Sequence, residues 1–172
     1  MTGHLLLLRL AAAALLFAAP SPLLAVPATS NSDAGVVLLR PLTLLKKDDL
    51  DFGGLLPSAT AGTATLDPFT GAVTTTGGVA AAPGVTSPAL FVGAGSRRAP
   101  VIIRLPKNPF LVTRSGGTET MRVSNLTLDG NSTRQIGANE AFEFRVGGQL
   151  SVGANQAGGD YVGSFEVTVV YP

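Results

Sequence analysis

The sequence predicts an all-β domain, a sandwich or a barrel, and three observations carry that prediction. Glycine is frequent, 21 of 172 residues, and no heptad or extended 3.6-residue apolar period follows residue 28. Short runs of alternating apolar and polar residues recur instead, bounded by Gly, Pro, Asn and Asp. Period-two alternation between turn residues marks half-buried strands. Cysteine is absent, so the core must hold without disulfides. A chain of this size can do so, because a domain near 150 residues buries about 68–70% of its unfolded surface.

Residues 1–28 come first and read as a signal peptide helix. Residues 5–8 and 10–19 are apolar, Arg9 is the only charge, Pro20 and Pro22 break the helix, and the small residues Ala25 and Ala28 follow. A basic start, an apolar middle and a small-residue cleavage zone make a secretory signal. Cleavage is expected after Ala25 or Ala28, giving 1–28 as signal and 29–172 as one β-sandwich domain. A retained anchor would need about 20 unbroken apolar residues. Arg9 and the prolines interrupt this run and no later stretch is long enough, so no membrane span is expected after cleavage.

The stretch VVLLRPLTLL, residues 36–45, is nearly continuous apolar sequence with Arg40-Pro41 in its middle. Proline cannot sit in a central ladder. The expectation is a strand that pairs with one sheet, breaks at Pro41 and continues in the other, as sandwiches do at corners. Lys46-Lys47 beside Asp48-Asp49, and the pair Arg97-Arg98, read as solvated loop charges.

LDFGGLLP follows at residues 50–57. Asp-Phe-Gly also occurs in protein kinases, but there it follows a glycine-rich loop, a strand lysine and a His-Arg-Asp loop. None of these is present. Phe52 is therefore expected in the core, Gly53 where the backbone turns, and Asp51 as a polar turn residue.

Thr-rich runs at residues 63–76 flank Asp67-Pro68-Phe69-Thr70-Gly71 and predict a hairpin, with Pro at the second turn position and Gly at positive φ. Strands are expected at residues 90–92, 101–105, 111–114 and 120–128, with a turn at LDGN, residues 128–131. That turn lacks the repeated acidic ligands of a calcium loop. In EAFEFRVGGQLSVG, Phe142, Phe144 and Val146 alternate with Glu143 and Arg145, and Gly147-Gly148 predicts a bend or bulge. In DYVGSFEVTVVY, the sequence places Tyr161, Gly163, Phe165, Val167, Val169 and Tyr171 on the inward face of one long strand.

Composition narrows function. The 12 Lys+Arg and 11 Asp+Glu nearly cancel, and loss of Arg9 balances them, so no basic field for nucleic acid exists. The one histidine is His4, inside the signal. Without His and Cys the mature chain lacks the usual nucleophile systems and zinc sets. Asp48, Asp49 and Asp51 form the only acidic cluster, beside two lysines. No catalytic, cofactor or metal residue is therefore expected, and the protein is not expected to be an enzyme.

RPLTLLKKDDLDFGGLLP, TLDPFTGAV, ALFVGAG and FRVGGQLSVGANQAGGDYVGSFEVTVVYP together resemble the bacterial domain-of-unknown-function family 4402, over residues 34–172. Its most specific parts here are Pro41-Leu42-Thr43, Leu50-Asp51-Phe52-Gly53, Val146-Gly147-Gly148-Gln149-Leu150 and residues 158–171. The opening and closing strands also look like spore coat protein U domains and archaic chaperone–usher pilins, although the cysteines of those pilins are missing. The resemblance implies an immunoglobulin-like antiparallel β-sandwich without assigned activity, secreted, periplasmic or on the surface of a bacterium. The expected role is structural, with protein partners or self-association through sheet edges. A self-contained sandwich is the leading expectation. A pilin-like subunit assembled by strand exchange is the alternative, and an extracellular glycan- or ligand-binding module the third.

Overall fold

A computed structural model describes residues 35–172, and Val37–Pro172 make one compact unit. The expected signal peptide and both cleavage positions lie outside the described residues. The strands are β1 (Thr43–Asp48), β2 (Leu55–Leu66), β3 (Val73–Ala81), β4 (Ala89–Ala94), β5 (Pro100–Arg104), β6 (Phe110–Arg114), β7 (Thr120–Leu128), β8 (Thr133–Gln135), β9 (Ala141–Val152), β10 (Tyr161–Val162) and β11 (Thr168–Val170). Every ladder is antiparallel. The fold is an all-β sandwich of two unequal sheets.

The large sheet runs β1-β4-β9-β7-β6-β10, with β2 attached to β9 beside β4 and β3 paired to β2. β9 organises it. Its residues 141–146 pair with β4, residues 148–152 pair with β2, and β7 pairs along the other side. Gly147 marks the changeover between β4 and β2. A Cβ there would stand 2.3 Å from the Leu66 carbonyl oxygen and 2.9 Å from the Pro68 nitrogen, so only glycine lets that turn approach. The small sheet runs β11-β5-β8.

Alternation along β9 sends Phe142, Phe144, Val146, Leu150 and Val152 inward. They divide into two clusters. In the first, Phe91, Phe142, Phe144 and Val146 of the large sheet meet Val101 and Ile103 of β5, with Ile136 just beyond β8. Two layers interdigitate there, as in an ordinary sandwich core. In the second, Val79, Val123, Leu150 and Val152 all come from the large sheet. The half-buried Leu50, Phe52, Leu55, Phe110, Val112 and Met121 pack around them, and no strand of the small sheet does.

Several expectations need correction. Residues 36–41 form no strand, and only Thr43–Asp48 pairs, with β4. Pro41 stops the ladder rather than switching its sheet, for it has no N–H to donate. The sheet switch lies at the other end of the fold: β10 pairs with β6 in the large sheet and β11 with β5 in the small one. The single long strand read over residues 161–171 is thus two short ones joined by residues 163–167. Lys46, Lys47 and Asp48 are exposed as expected but lie on β1, not in a loop. β9 passes through Gly147-Gly148 without a bulge. The irregularity is in β7, between Ser124 and Thr127, where Asn125 has φ 49°.

Candidate functional site

The ladder around LDFG builds one wall of the main concavity. Asp51 and Ser87 exchange backbone bonds of 2.8 and 3.0 Å, which ties the turn after β1 to the segment before β4. The Gly53 N–H then donates to Asp51 Oδ1 at 2.8 Å, and Gly53 takes φ 69°. This is an Asx turn, the local bond that a short carboxylate offers its own backbone. It leaves Phe52 half-buried against the second cluster rather than in the core.

The opposite wall is the stretch from Gln156 to Phe165. Gln156 Nε2 donates to the Tyr161 hydroxyl at 2.7 Å, and that hydroxyl donates to the Ala157 carbonyl at 2.8 Å. The Ser115 N–H holds the same loop through the Asp160 carbonyl at 2.8 Å. Both tyrosines therefore face inward, as the alternation requires, with their hydroxyls occupied. Phe165 bridges the two clusters. It stacks on Phe110 at 5.4 Å between ring centroids and meets Phe91 edge-on at 6.4 Å.

Between these walls lies a groove of about 890 Å3. Its floor is the inner face of the large sheet, with Phe110 and Val112 of β6, Met121 and Val123 of β7, and Leu150 and Val152 of β9. The side chains are apolar, and polar groups such as Asp49, Asp51 and Asp160 belong to its turns and loops. Residues 163–165 along one wall belong to no strand, and β10, whose Tyr161 and Val162 also line the groove, pairs among the described residues only with β6. An apolar floor beside a free strand edge can take an extended segment that buries alternate side chains and adds main-chain bonds.

Of the ionisable groups that line the groove, Lys46, Asp49 and Asp51 are engaged locally. Asp49 pairs with Lys46, and Asp51 caps Gly53. The Asp48, Asp49 and Asp51 cluster is thus spent on β1 and its turn. Two carboxylates elsewhere are held below their ordinary values. The Thr70 N–H, then that of Phe69, does this for Asp67, and the residue's own N–H, then the Arg114 guanidinium, does it for Glu119. Neither lines the groove. Among the described residues no three of His, Cys, Asp and Glu gather closely enough to hold a metal ion. What this site can do is bury apolar surface.

A second feature is the chain just before β1. Val36, Val37 and Leu38 are 84, 82 and 88% exposed. The exposure stops at a clamp on Arg40. The Arg40 N–H donates to Ser96 Oγ at 2.6 Å, and its carbonyl accepts from the Tyr171 hydroxyl at 2.9 Å. That hydroxyl accepts the Ser96 N–H at 2.8 Å, while the Arg40 guanidinium pairs with Glu140.

Sequence reasoning named the turn at Asp51 and Gly53 and the inward tyrosines, but not the groove. Phe110 escaped the expected strand at 111–114, although Phe110 and Val112 alternate with Leu111 and Thr113. The inward face was therefore readable. That no strand of the small sheet covers it among the described residues was not.

The family described as Domain of unknown function (DUF4402) matches residues 42–171 of the chain. Neither the curated proteins nor the solved structures contain a match.

Proposed function

The chain belongs to the DUF4402 family, and from that premise we propose that it is an exported, non-enzymatic structural protein of the bacterial envelope or cell surface that works by accepting an extended apolar peptide as an added β-strand. One observation carries this reading: among the described residues no strand of the small sheet covers the floor formed by β6, β7 and the end of β9, and β10 beside it keeps one edge unpaired. Apolar area left open in this way is a binding surface, worth about 25 cal/mol for each Å2 covered. The missing cover also moves the balance from a self-contained sandwich to a strand-receiving one.

The test uses the protein comprising residues 29–172 and a fluorescent synthetic peptide of alternating valine and threonine. Saturable binding is expected, weakened at least tenfold by Val112→Asp on the groove floor, with Phe69→Asp on the distant hairpin turn as a neutral control. Circular dichroism establishes that both variants fold. No binding, or equal binding by the Val112 variant and the control, overturns the reading.

A further inference from the structure

We infer that the strand this groove accepts belongs to a different protein and carries lysine or arginine on the face it turns away from the floor. This rests on the reading of the groove as a strand acceptor, and deepens it by naming the charge of the partner.

The groove is apolar at its floor and acidic at its mouth. Four charged side chains line it, Lys46, Asp49, Asp51 and Asp160. Lys46 pairs with Asp49, and the two cancel. Asp51 and Asp160 remain, on opposite walls, and among the described residues neither forms an ion pair. Arg114 packs against Gly159, next to Asp160, but its guanidinium pairs with Glu119 at 3.1 Å. The mouth therefore carries two uncompensated negative charges.

Their positions suit an added strand. Asp160 immediately precedes β10, whose outer edge is unpaired among the described residues. A strand laid on that edge sets one of its residues opposite or diagonal to Asp160, within about 8 Å, where unlike charges attract. The side chains of such a strand alternate between two faces. One set meets Val112, Val123 and Leu150 on the floor. The other faces solvent between the two carboxylates. Lysine or arginine in that second set lays its stem over apolar surface and keeps its charge in water. Aspartate or glutamate there is repelled.

The chain's own exposed apolar run, residues 36–39, does not meet this requirement. Its adjoining cation is Arg40, whose guanidinium pairs with Glu140 and whose backbone is bonded to Ser96 and Tyr171. The partner is accordingly a separate polypeptide with basic residues set between apolar ones.

Three fluorescent peptides test this on residues 29–172: the valine–threonine peptide, the same peptide with lysine at two threonine positions, and the same with glutamate there. At low salt the lysine peptide is expected to bind about fivefold more tightly than the neutral one, and the glutamate peptide about fivefold more weakly, as two cross-strand charge pairs allow. The spread should collapse near 1 M salt, where the screening length falls to about 3 Å. It should also collapse in the double variant Asp51→Asn, Asp160→Asn. These changes remove charge and keep structure: asparagine still accepts the Gly53 N–H, and it is the Asp160 backbone carbonyl that holds Ser115. Should circular dichroism find the double variant unfolded, the salt series on the unaltered protein decides alone. Equal binding of all three peptides overturns the inference and leaves the strand-receiving reading standing. A lysine preference that survives the double substitution places the attraction elsewhere and overturns the inference too. If no peptide binds, both fail. Light scattering identifies the source of the strand: residues 29–172 should stay monomeric, and self-association that the double variant abolishes would assign the groove to a second copy and overturn the separate partner.

Discussion

Gly53 carries much of the groove wall on one torsion angle. Its φ is 69°, and a Cβ there would lie 2.8 Å from Thr86 Cγ2 and 3.2 Å from the Val85 carbonyl oxygen. Gly53→Ala should cost about 1–2 kcal/mol for the left-handed backbone alone, with the clash in addition; a chemical denaturation curve measures it, and an unchanged midpoint refutes the assignment. Phe52 tells a complementary story. Alternation with Leu50 placed it inward, and a fully buried Phe would cost about 3–5 kcal/mol to truncate. It is half-buried on the groove, so Phe52→Ala should cost only about 1–2 kcal/mol, nearer to an ordinary substitution, while weakening peptide binding. Alternation reveals which way a side chain points; it does not reveal what stands opposite. Asp67 was legible in full, since Asp-Pro-x-Thr-Gly names its own turn. Its carboxylate accepts the N–H groups of Thr70 and Phe69, which lower its pKa. A depressed folded value means that this contribution to stability is complete above the unfolded pKa and disappears as pH falls through the folded one. NMR titration should find Asp67 below its ordinary value of 3.8, and Asp67→Asn should flatten the stability profile in that acidic window.

Strands show the same division between what a sequence states and what only packing decides. Along β7, Met121 and Val123 point inward, and then Leu126 and Leu128 do, so the alternation slips by one residue. The slip is written in Met-Arg-Val-Ser-Asn-Leu-Thr-Leu, and it is the bulge. Ser124 opposes Gln149 and Thr127 opposes Gly147, leaving Asn125 and Leu126 across from Gly148. The glycine pair in β9 pointed to a bulge on the wrong strand, because glycine also serves close approach. A Cβ on Gly148 would stand 2.8 Å from Leu126 Cδ2. Nothing in the sequence of β9 tells what comes near it. Deleting Asn125 would leave Met-Arg-Val-Ser-Leu-Thr-Leu, an unbroken alternation that keeps every inward residue inward. That deletion should therefore be tolerated, with a stability change within about 1 kcal/mol, although deletions inside strands normally turn a face over. Deleting Arg122 is the contrast. It forces Met121 or Val123 outward and should cost about 2 kcal/mol or more, the scale of losing one buried aliphatic side chain. Thermal melts of the two deletions decide the matter, and equal losses would show that the extra residue is not a simple bulge.

For the whole molecule the consequence is an uneven core. Alternating strands made the all-β class legible, and the absence of cysteine put the burden on apolar packing. Yet an inward face reads the same whether a second sheet covers it or not. Around Phe91, Phe144, Val101 and Ile103 two layers meet, and the side chains are almost wholly buried. Around Val123, Leu150 and Val152 one sheet and a turn must suffice. Local stability follows buried apolar contact, so the two regions should open with different free energies. Amide hydrogen exchange resolves them. The amides of β4, β5 and residues 141–146 should exchange slowest, close to the global unfolding limit. Those of β6, β10 and residues 148–152 should exchange at least tenfold faster, a difference of about 1.4 kcal/mol. β9 supplies the internal control, because one continuous strand runs through both regions and is hydrogen-bonded along both sides. A peptide that binds the groove should slow the second set and leave the first unchanged, since it supplies the layer that only the second set lacks. Uniform protection along β9 in the free protein would mean that the open floor costs no stability, and the physical case for a strand-accepting groove would lose its driving force.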